Sequence, residues 1–165
     1  MLALTGCDDL DPSSEDKRPP VDETTIGPSV GQIAPDYSLF DTLGNPVTMS
    51  AELTGASGIV MYYTMWCPIC DSHMSHMRSQ IIPDFPNVKF FIIDYVSGTV
   101  ELSREAQLSN GYADLTVLVD NTQEVLTLYQ ATMGTTVVID GAGTVRMNED
   151  YKDGTKLAGT LASLP

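Results

Sequence analysis

The chain has 165 residues, 42% of them hydrophobic, which is enough apolar material for one domain with a real core. Its formal net charge of −14 disfavours nucleic acid, whose phosphates need neutralising Lys and Arg, and equally disfavours adsorption to anionic lipid. No run of about 18 or more apolar residues occurs, so no stretch reads as a membrane-spanning helix.

In chain order, Leu4-Thr5-Gly6-Cys7 comes first. It resembles the bacterial lipobox, and that resemblance implies diacylation of Cys7 and a membrane anchor. Only six residues precede Cys7 and none is basic, so residues 1–7 read as a partial lipoprotein signal. Residues 8–30 are polar, acidic and rich in Pro and Ser, and read as a flexible tether. The domain is expected over residues 31–165. Tyr37 and Leu39 suggest a short strand, Leu43-Gly44-Asn45-Pro46 is turn chemistry, and residues 47–50 suggest a second strand. Ser50 is expected to cap a brief helical turn over 51–53.

The apolar run over 58–64 reads as a buried strand, and residues 71–82 as a helix that Pro83 stops. A second buried strand spans 88–95, and a polar helix about 100–110, with Gly111 as its C-cap. A strand over 115–120 and a helix over 122–129 follow. Residues 135–140 and 144–147 form a hairpin across Gly141-Ala142-Gly143, and a last helix covers about 154–164. Strands alternate with helices before a terminal hairpin. The fold class is therefore α/β, a central sheet with helices on both faces and an N-terminal β-hairpin extension.

Three cysteines are present: Cys7, Cys67 and Cys70. The last two lie in Trp66-Cys67-Pro68-Ile69-Cys70, between the strand over 58–64 and the following helix. This order places a dithiol at a helix N-terminus, where free N–H groups and the positive dipole end stabilise a thiolate. The thiolate is the attacking species in disulfide exchange, so the arrangement predicts redox chemistry. Cys-x-x-Cys by itself is equally compatible with zinc.

Context resolves that ambiguity by resemblance. Gly31-x-x-Ala34-Pro35-Asp36-Tyr37-x-Leu39-x-Asp41-x-x-Gly44, Trp66-Cys67-Pro68-Ile69-Cys70, Thr135-Thr136-Val137-Val138-Ile139-Asp140 and Gly141-Ala142-Gly143-Thr144-Val145 occur in this order. Together they resemble the thioredoxin-like superfamily, on the redoxin branch of TlpA/ResA-like thiol–disulfide oxidoreductases and peroxiredoxins. The resemblance implies a thioredoxin-like fold with a mixed sheet. It implies that Cys67 is the exposed nucleophile and Cys70 the resolving thiol. It also gives Trp66 a substrate-facing place beside the thiols and makes Pro68 and Ile69 tuners of the redox potential. The expected protein is an extracytoplasmic, lipid-anchored, monomeric oxidoreductase, with reductase the expected direction. Its partners would be protein thiols and disulfides and an upstream electron donor. The redox-active disulfide would serve in place of a cofactor.

Three departures qualify the resemblance. Alignment on the late strand puts Gly134, preceded by Met133, where the family has a cis-proline facing the dithiol. A cis bond to a non-proline residue costs about 3–4 kcal/mol, so a trans peptide in a more open loop is expected. Met61 stands where thioredoxin keeps a buried Asp, leaving Asp71 and Glu101 as candidate proton acceptors. Thr64 matches half of the peroxiredoxin Pro-x-x-x-Thr-x-x-Cys motif, with Val60 in the proline position and Arg146 or Arg104 as candidate arginines.

Cys67 and Cys70, with His73 or Met133 as a further ligand, form a soft donor set suited to Cu(I). The alternative from another class is therefore a non-enzymatic metal-binding or metallochaperone module. On a helix, Met74, Met77 and Ile81 read as core, and His73 and His76 as solvent-facing. A thiol peroxidase is the second alternative.

Overall fold

The computed structural model describes residues 22–165. Seven strands, β1 (Ser38–Asp41), β2 (Pro46–Thr48), β3 (Gly58–Thr64), β4 (Val88–Asp94), β5 (Thr116–Val119), β6 (Thr135–Asp140) and β7 (Val145–Asp150), form one sheet. Their order is β2-β1-β5-β4-β3-β6-β7. β3, β4 and β5 run parallel, and the remaining pairings are antiparallel. Five helices complete the fold: α1 (Met49–Glu52), α2 (Pro68–His76), α3 (Val100–Ser109), α4 (Glu124–Leu128) and α5 (Thr155–Ala162). This is the expected α/β architecture, with the β1–β2 hairpin as the N-terminal extension.

Every residue of β3 is buried because both faces of the central strand are covered. Its side chains alternate between two cores. Ile59, Met61 and Tyr63 enter one, with Met49 of α1 and Val125 of α4. Val60 and Tyr62 enter the other, with Cys70 and Met74 of α2 and Leu157 and Leu161 of α5. The dithiol helix thus lies flat on one face of the central strand.

Local differences from expectation have physical causes. α2 starts at Pro68, one turn earlier than the apolar pattern suggests, because Cys67 takes an extended conformation and caps it. It ends at His76 and continues as a π-helical turn, Met77–Ile81, then a 3₁₀ turn, Ile82–Asp84. Pro83 has no N–H and crowds the carbonyl four residues back, so a regular α-helix cannot run into it. The wider turn still buries Met77 and Ile81. The turn at α1 is capped by Asp36, not Ser50: Asp36 Oδ1 accepts from the Ser50 backbone N–H at 3.0 Å. Gly111 does end α3, at φ +80° with its N–H on the Leu108 carbonyl at 3.1 Å.

Residues 25–33 fold back on themselves, with Ile33 N–H on the Thr25 carbonyl at 3.0 Å. Asn148 Nδ2 donates to the Pro28 carbonyl at 2.9 Å, so the end of the expected tether lies against the domain. Cys7, its lipobox and residues 8–21 lie outside the described residues.

Candidate functional site: a disulfide at a helix N-terminus

Cys67 and Cys70 are joined as a disulfide, with Cα atoms 5.0 Å apart. β3 ends at Thr64, and Met65-Trp66 carry the chain over the sheet edge to Cys67. Trp66 turns that corner in the left-handed region, at φ +58°, which costs a non-glycine residue about 1–2 kcal/mol. Two hydrogen bonds hold it there. Its backbone N–H donates to Thr64 Oγ1 at 3.1 Å, and its indole Nε1 donates to Asp94 Oδ2 at 2.8 Å.

The two sulfurs are unequal. Cys67 is half-buried at the cap, whereas Cys70 is fully buried on the inner face of α2. Cys67 Sγ accepts the Cys70 backbone N–H at 3.1 Å. A sulfur aimed at a free helix N–H, on the positive end of the dipole, is stabilised as a thiolate once reduced. Pro68 occupies the first helical position, where no N–H is needed. Ile69 is 57% exposed beside the disulfide, and Met65 and Val96 are also exposed. Trp66 and Met133 pack against the same core as Cys70.

Gly134 is buried and its peptide is trans, at φ +86°. Its N–H donates to the Tyr63 carbonyl at 3.0 Å, and its carbonyl accepts the Tyr151 N–H at 2.8 Å. The loop is therefore tied to β3 on one side and to the end of β7 on the other, without a proline.

The histidines are not solvent-facing. Both are half-buried, and the Nδ1 of each ring finds a tyrosine hydroxyl across the helix–sheet interface. Tyr62 OH lies 2.9 Å from His73 Nδ1, and Tyr151 OH lies 2.6 Å from His76 Nδ1. Met74, Met77 and Ile81 are core, as their spacing predicts. Among the described residues no three His, Cys, Asp or Glu side chains gather into a metal set. The sulfurs of Cys67 and Cys70 bond to each other, and His73 bonds to Tyr62.

The two candidate acids are both exposed. Asp71 is exposed and accepts from Tyr112 OH at 2.6 Å, and Glu101 is exposed in the first turn of α3. Met61 packs on the opposite face of the sheet from Cys70. On the peroxidase side, Thr64 is engaged with Trp66 and Val60 is core. Arg146 binds Asp140 at 2.6 Å, and Arg104 binds Gln107 at 2.9 Å.

Sequence reasoning missed Asp94. It is fully buried and accepts from Trp66, from Ser103 Oγ at 2.6 Å, and from the N–H groups of Val96 and Ser97, both at 3.1 Å. Burial raises its pKa, but the hydrogen bonds outweigh that and hold the carboxyl below its ordinary value. A carboxylate closing an apolar strand was the available signal.

The AhpC/TSA family model matches residues 30–148, most of the chain. The chain belongs to the AhpC/TSA family. Methylamine utilization protein MauD of Paracoccus denitrificans is 35% identical over 57 residues, 34% of this chain and 28% of that protein. The matched stretch is thus well under two thirds of that relative's length. Three solved structures share the fold. The thioredoxin domain of a thiol-disulfide oxidoreductase from Bacteroides vulgatus superposes at TM-score 0.66 and 16% identity, over 81% of this chain and 96% of that one. A secreted Mycobacterium tuberculosis disulfide oxidoreductase homologous to E. coli DsbE gives 0.60 and 22%, over 78% and 96%. Peroxidoxin BcpB of M. tuberculosis gives 0.67 and 19%, over 86% and 99%. This AhpC/TSA member carries its Cys67–Cys70 disulfide at the N-terminus of α2.

Proposed function

We propose that this protein is a thiol–disulfide oxidoreductase, an extracytoplasmic reductase of protein disulfides tethered to the membrane through Cys7. The observation that carries the reading is the inequality of the two sulfurs, Cys67 reachable at the helix cap and Cys70 buried behind it. In the reduced protein the Cys67 thiolate attacks a substrate disulfide, forming a mixed disulfide and releasing one substrate thiolate. Cys70 then attacks Cys67 Sγ, which re-forms the Cys67–Cys70 bond and frees the second substrate thiol. An upstream donor returns both electrons. No metal or organic cofactor enters this cycle.

Trp66, Ile69, Met133 and Gly134 form the wall against which a substrate segment rests, and Pro68 and Ile69 tune the potential. The location is supported by the lipobox-like Leu4-Thr5-Gly6-Cys7 and by a structural relative described as secreted. The domain is proposed to act as a monomer.

Insulin reduction by purified protein tests the reading. Cys67→Ser abolishes it, and Cys70→Ser accumulates mixed disulfides. A Cys67–Cys70 potential near thioredoxin's, about −270 mV, agrees with a reductase, whereas one near about −120 mV makes the protein an oxidant. Absence of exchange with any protein disulfide, combined with stoichiometric Cu(I) uptake, overturns the proposal in favour of a metal module. Peroxide turnover that survives Cys70→Ser overturns it in favour of a peroxidase.

A further inference from the structure

His73 lies three residues after Cys70 on α2. Side chains at that spacing share one flank of a helix, with Cβ atoms about 5–6 Å apart. Its ring is fixed from three sides. Tyr62 of β3 holds Nδ1 at 2.9 Å and meets the ring edge-on, with centroids 5.9 Å apart. Tyr151, just beyond β7, packs tilted against it at 4.7 Å. Gly134 comes close enough that a Cβ there would lie 4.0 Å from His73 Cε1 and Nδ1. The dithiol helix and the loop joined to β6 therefore meet at this imidazole.

Resolution by Cys70 requires a base, and the carboxylates near the dithiol are committed. Asp94 accepts four hydrogen bonds, Asp71 is held by Tyr112, and Met61 faces the other core. We infer that His73 is the proton acceptor for Cys70 during resolution of the mixed disulfide, an inference that rests on the cysteine roles proposed above.

The step balances. The Cys70 thiol gives its proton to the imidazole, and the Cys70 thiolate attacks Cys67 Sγ. The Cys67–Cys70 bond forms while the bond from Cys67 to the substrate sulfur breaks. The imidazolium then returns the proton to the departing substrate thiolate.

The surroundings keep the ring ready to accept. Facing it are the hydroxyls of Tyr62 and Tyr151, with His76 one turn along α2 and Asp153 beyond His76. Burial, and secondly the charge on His76, hold the His73 pKa below its ordinary value. Burial pushes the Tyr62 phenol well above its ordinary value, so Tyr62 stays protonated. At neutral pH the pair is a neutral imidazole beside a neutral phenol.

The test is single-turnover reduction of a peptide disulfide between pH 5 and 9, timing the first attack and the resolution separately. Wild-type resolution rises through an inflection below 6.5. His73→Gln, which can still bond Tyr62, loses that inflection and resolves about tenfold or more slowly at neutral pH, while attack by Cys67 is unchanged. Tyr62→Phe keeps the imidazole and moves the inflection without removing it, which guards against a folding defect at residue 73. Normal first attack, with His73→Gln resolving at the wild-type rate and profile, overturns the His73 assignment alone. A wild-type protein that forms no mixed disulfide overturns the cysteine roles and this assignment together.

Discussion

The Trp66 indole donates to Asp94 Oδ2 at 2.8 Å, across 28 residues of sequence. That bond joins the strained corner before Cys67 to the carboxylate closing the neighbouring strand β4. Ser103 of α3 shares the same oxygen, so three elements converge on one buried charge.

Asp94→Asn tests this anchor. A carboxyl whose pKa is lowered by folding stabilises the fold above its unfolded value, near 3.8, and that contribution is lost as pH falls through the lowered folded value. Urea unfolding at pH 7 is expected to show a loss of about 2 kcal/mol, in the range of charge-assisted hydrogen bonds. The gap to wild type should narrow below about pH 4. A gap that stays constant down to pH 2.5 refutes the charge-based account.

Gly134→Pro is expected not to restore the family's proline but to unfold the loop. Proline fixes φ near −65°, whereas Gly134 sits at +86°. It also removes the N–H that donates to the Tyr63 carbonyl at 3.0 Å. The expected cost is about 3 kcal/mol or more. Gly134→Ala, which has room for its methyl group, should cost only about 1–2 kcal/mol for the left-handed backbone. Melting curves of the two variants decide the point, and a Pro variant as stable as wild type contradicts it.

The strands, the dithiol helix and the hairpin were legible because each writes a local pattern. Residues 58–63 of β3 and 90–93 of β4 are apolar runs, as expected for central strands covered on both faces. Met74, Met77 and Ile81 carry helical spacing. The supports of the site have no such signature. Trp66 reaches Asp94 and His76 reaches Tyr151, 28 and 75 residues away, and nothing in local spacing encodes those bonds. His73 reads as a surface residue because its partner Tyr62 looks like one more apolar position of a buried strand.

Tyr37→Phe should be neutral or stabilising by up to about 1 kcal/mol, because a buried hydroxyl without a partner costs more than it returns. Among the described residues, Tyr37 OH finds no hydrogen bond, while the ring packs edge-on against Tyr129 with centroids 6.4 Å apart. Tyr129→Phe is the contrast. Its hydroxyl donates to the Pro35 carbonyl at 2.6 Å, and losing that bond should cost about 1 kcal/mol. Chemical denaturation of both variants checks the opposite signs.

Gln107 joins three parts of the fold through one buried amide. Its Oε1 accepts from Thr42 Oγ1 at 2.6 Å and from Arg104 at 2.9 Å. Its Nε2 donates to the carbonyls of Tyr112 at 3.0 Å and Leu115 at 2.7 Å. The hairpin edge at Thr42, helix α3 and the approach to β5 all depend on it. Gln107→Leu takes the acceptor from the buried Thr42 hydroxyl and the Gln107 donor from the Leu115 carbonyl, while the Tyr112 carbonyl keeps the Leu115 N–H at 3.1 Å; it should cost about 2 kcal/mol, since each orphaned group costs about 1–3 kcal/mol before relaxation. Adding Thr42→Val removes one orphan, so the double variant should be more stable than the sum of the single effects by about 1 kcal/mol. Strict additivity in that double-mutant cycle would show that Thr42 and Gln107 do not support each other. In Gln107→Leu, amide exchange should quicken first in β1 and β2, the strands Thr42 ties to the sheet through its N–H on the Val117 carbonyl at 3.1 Å.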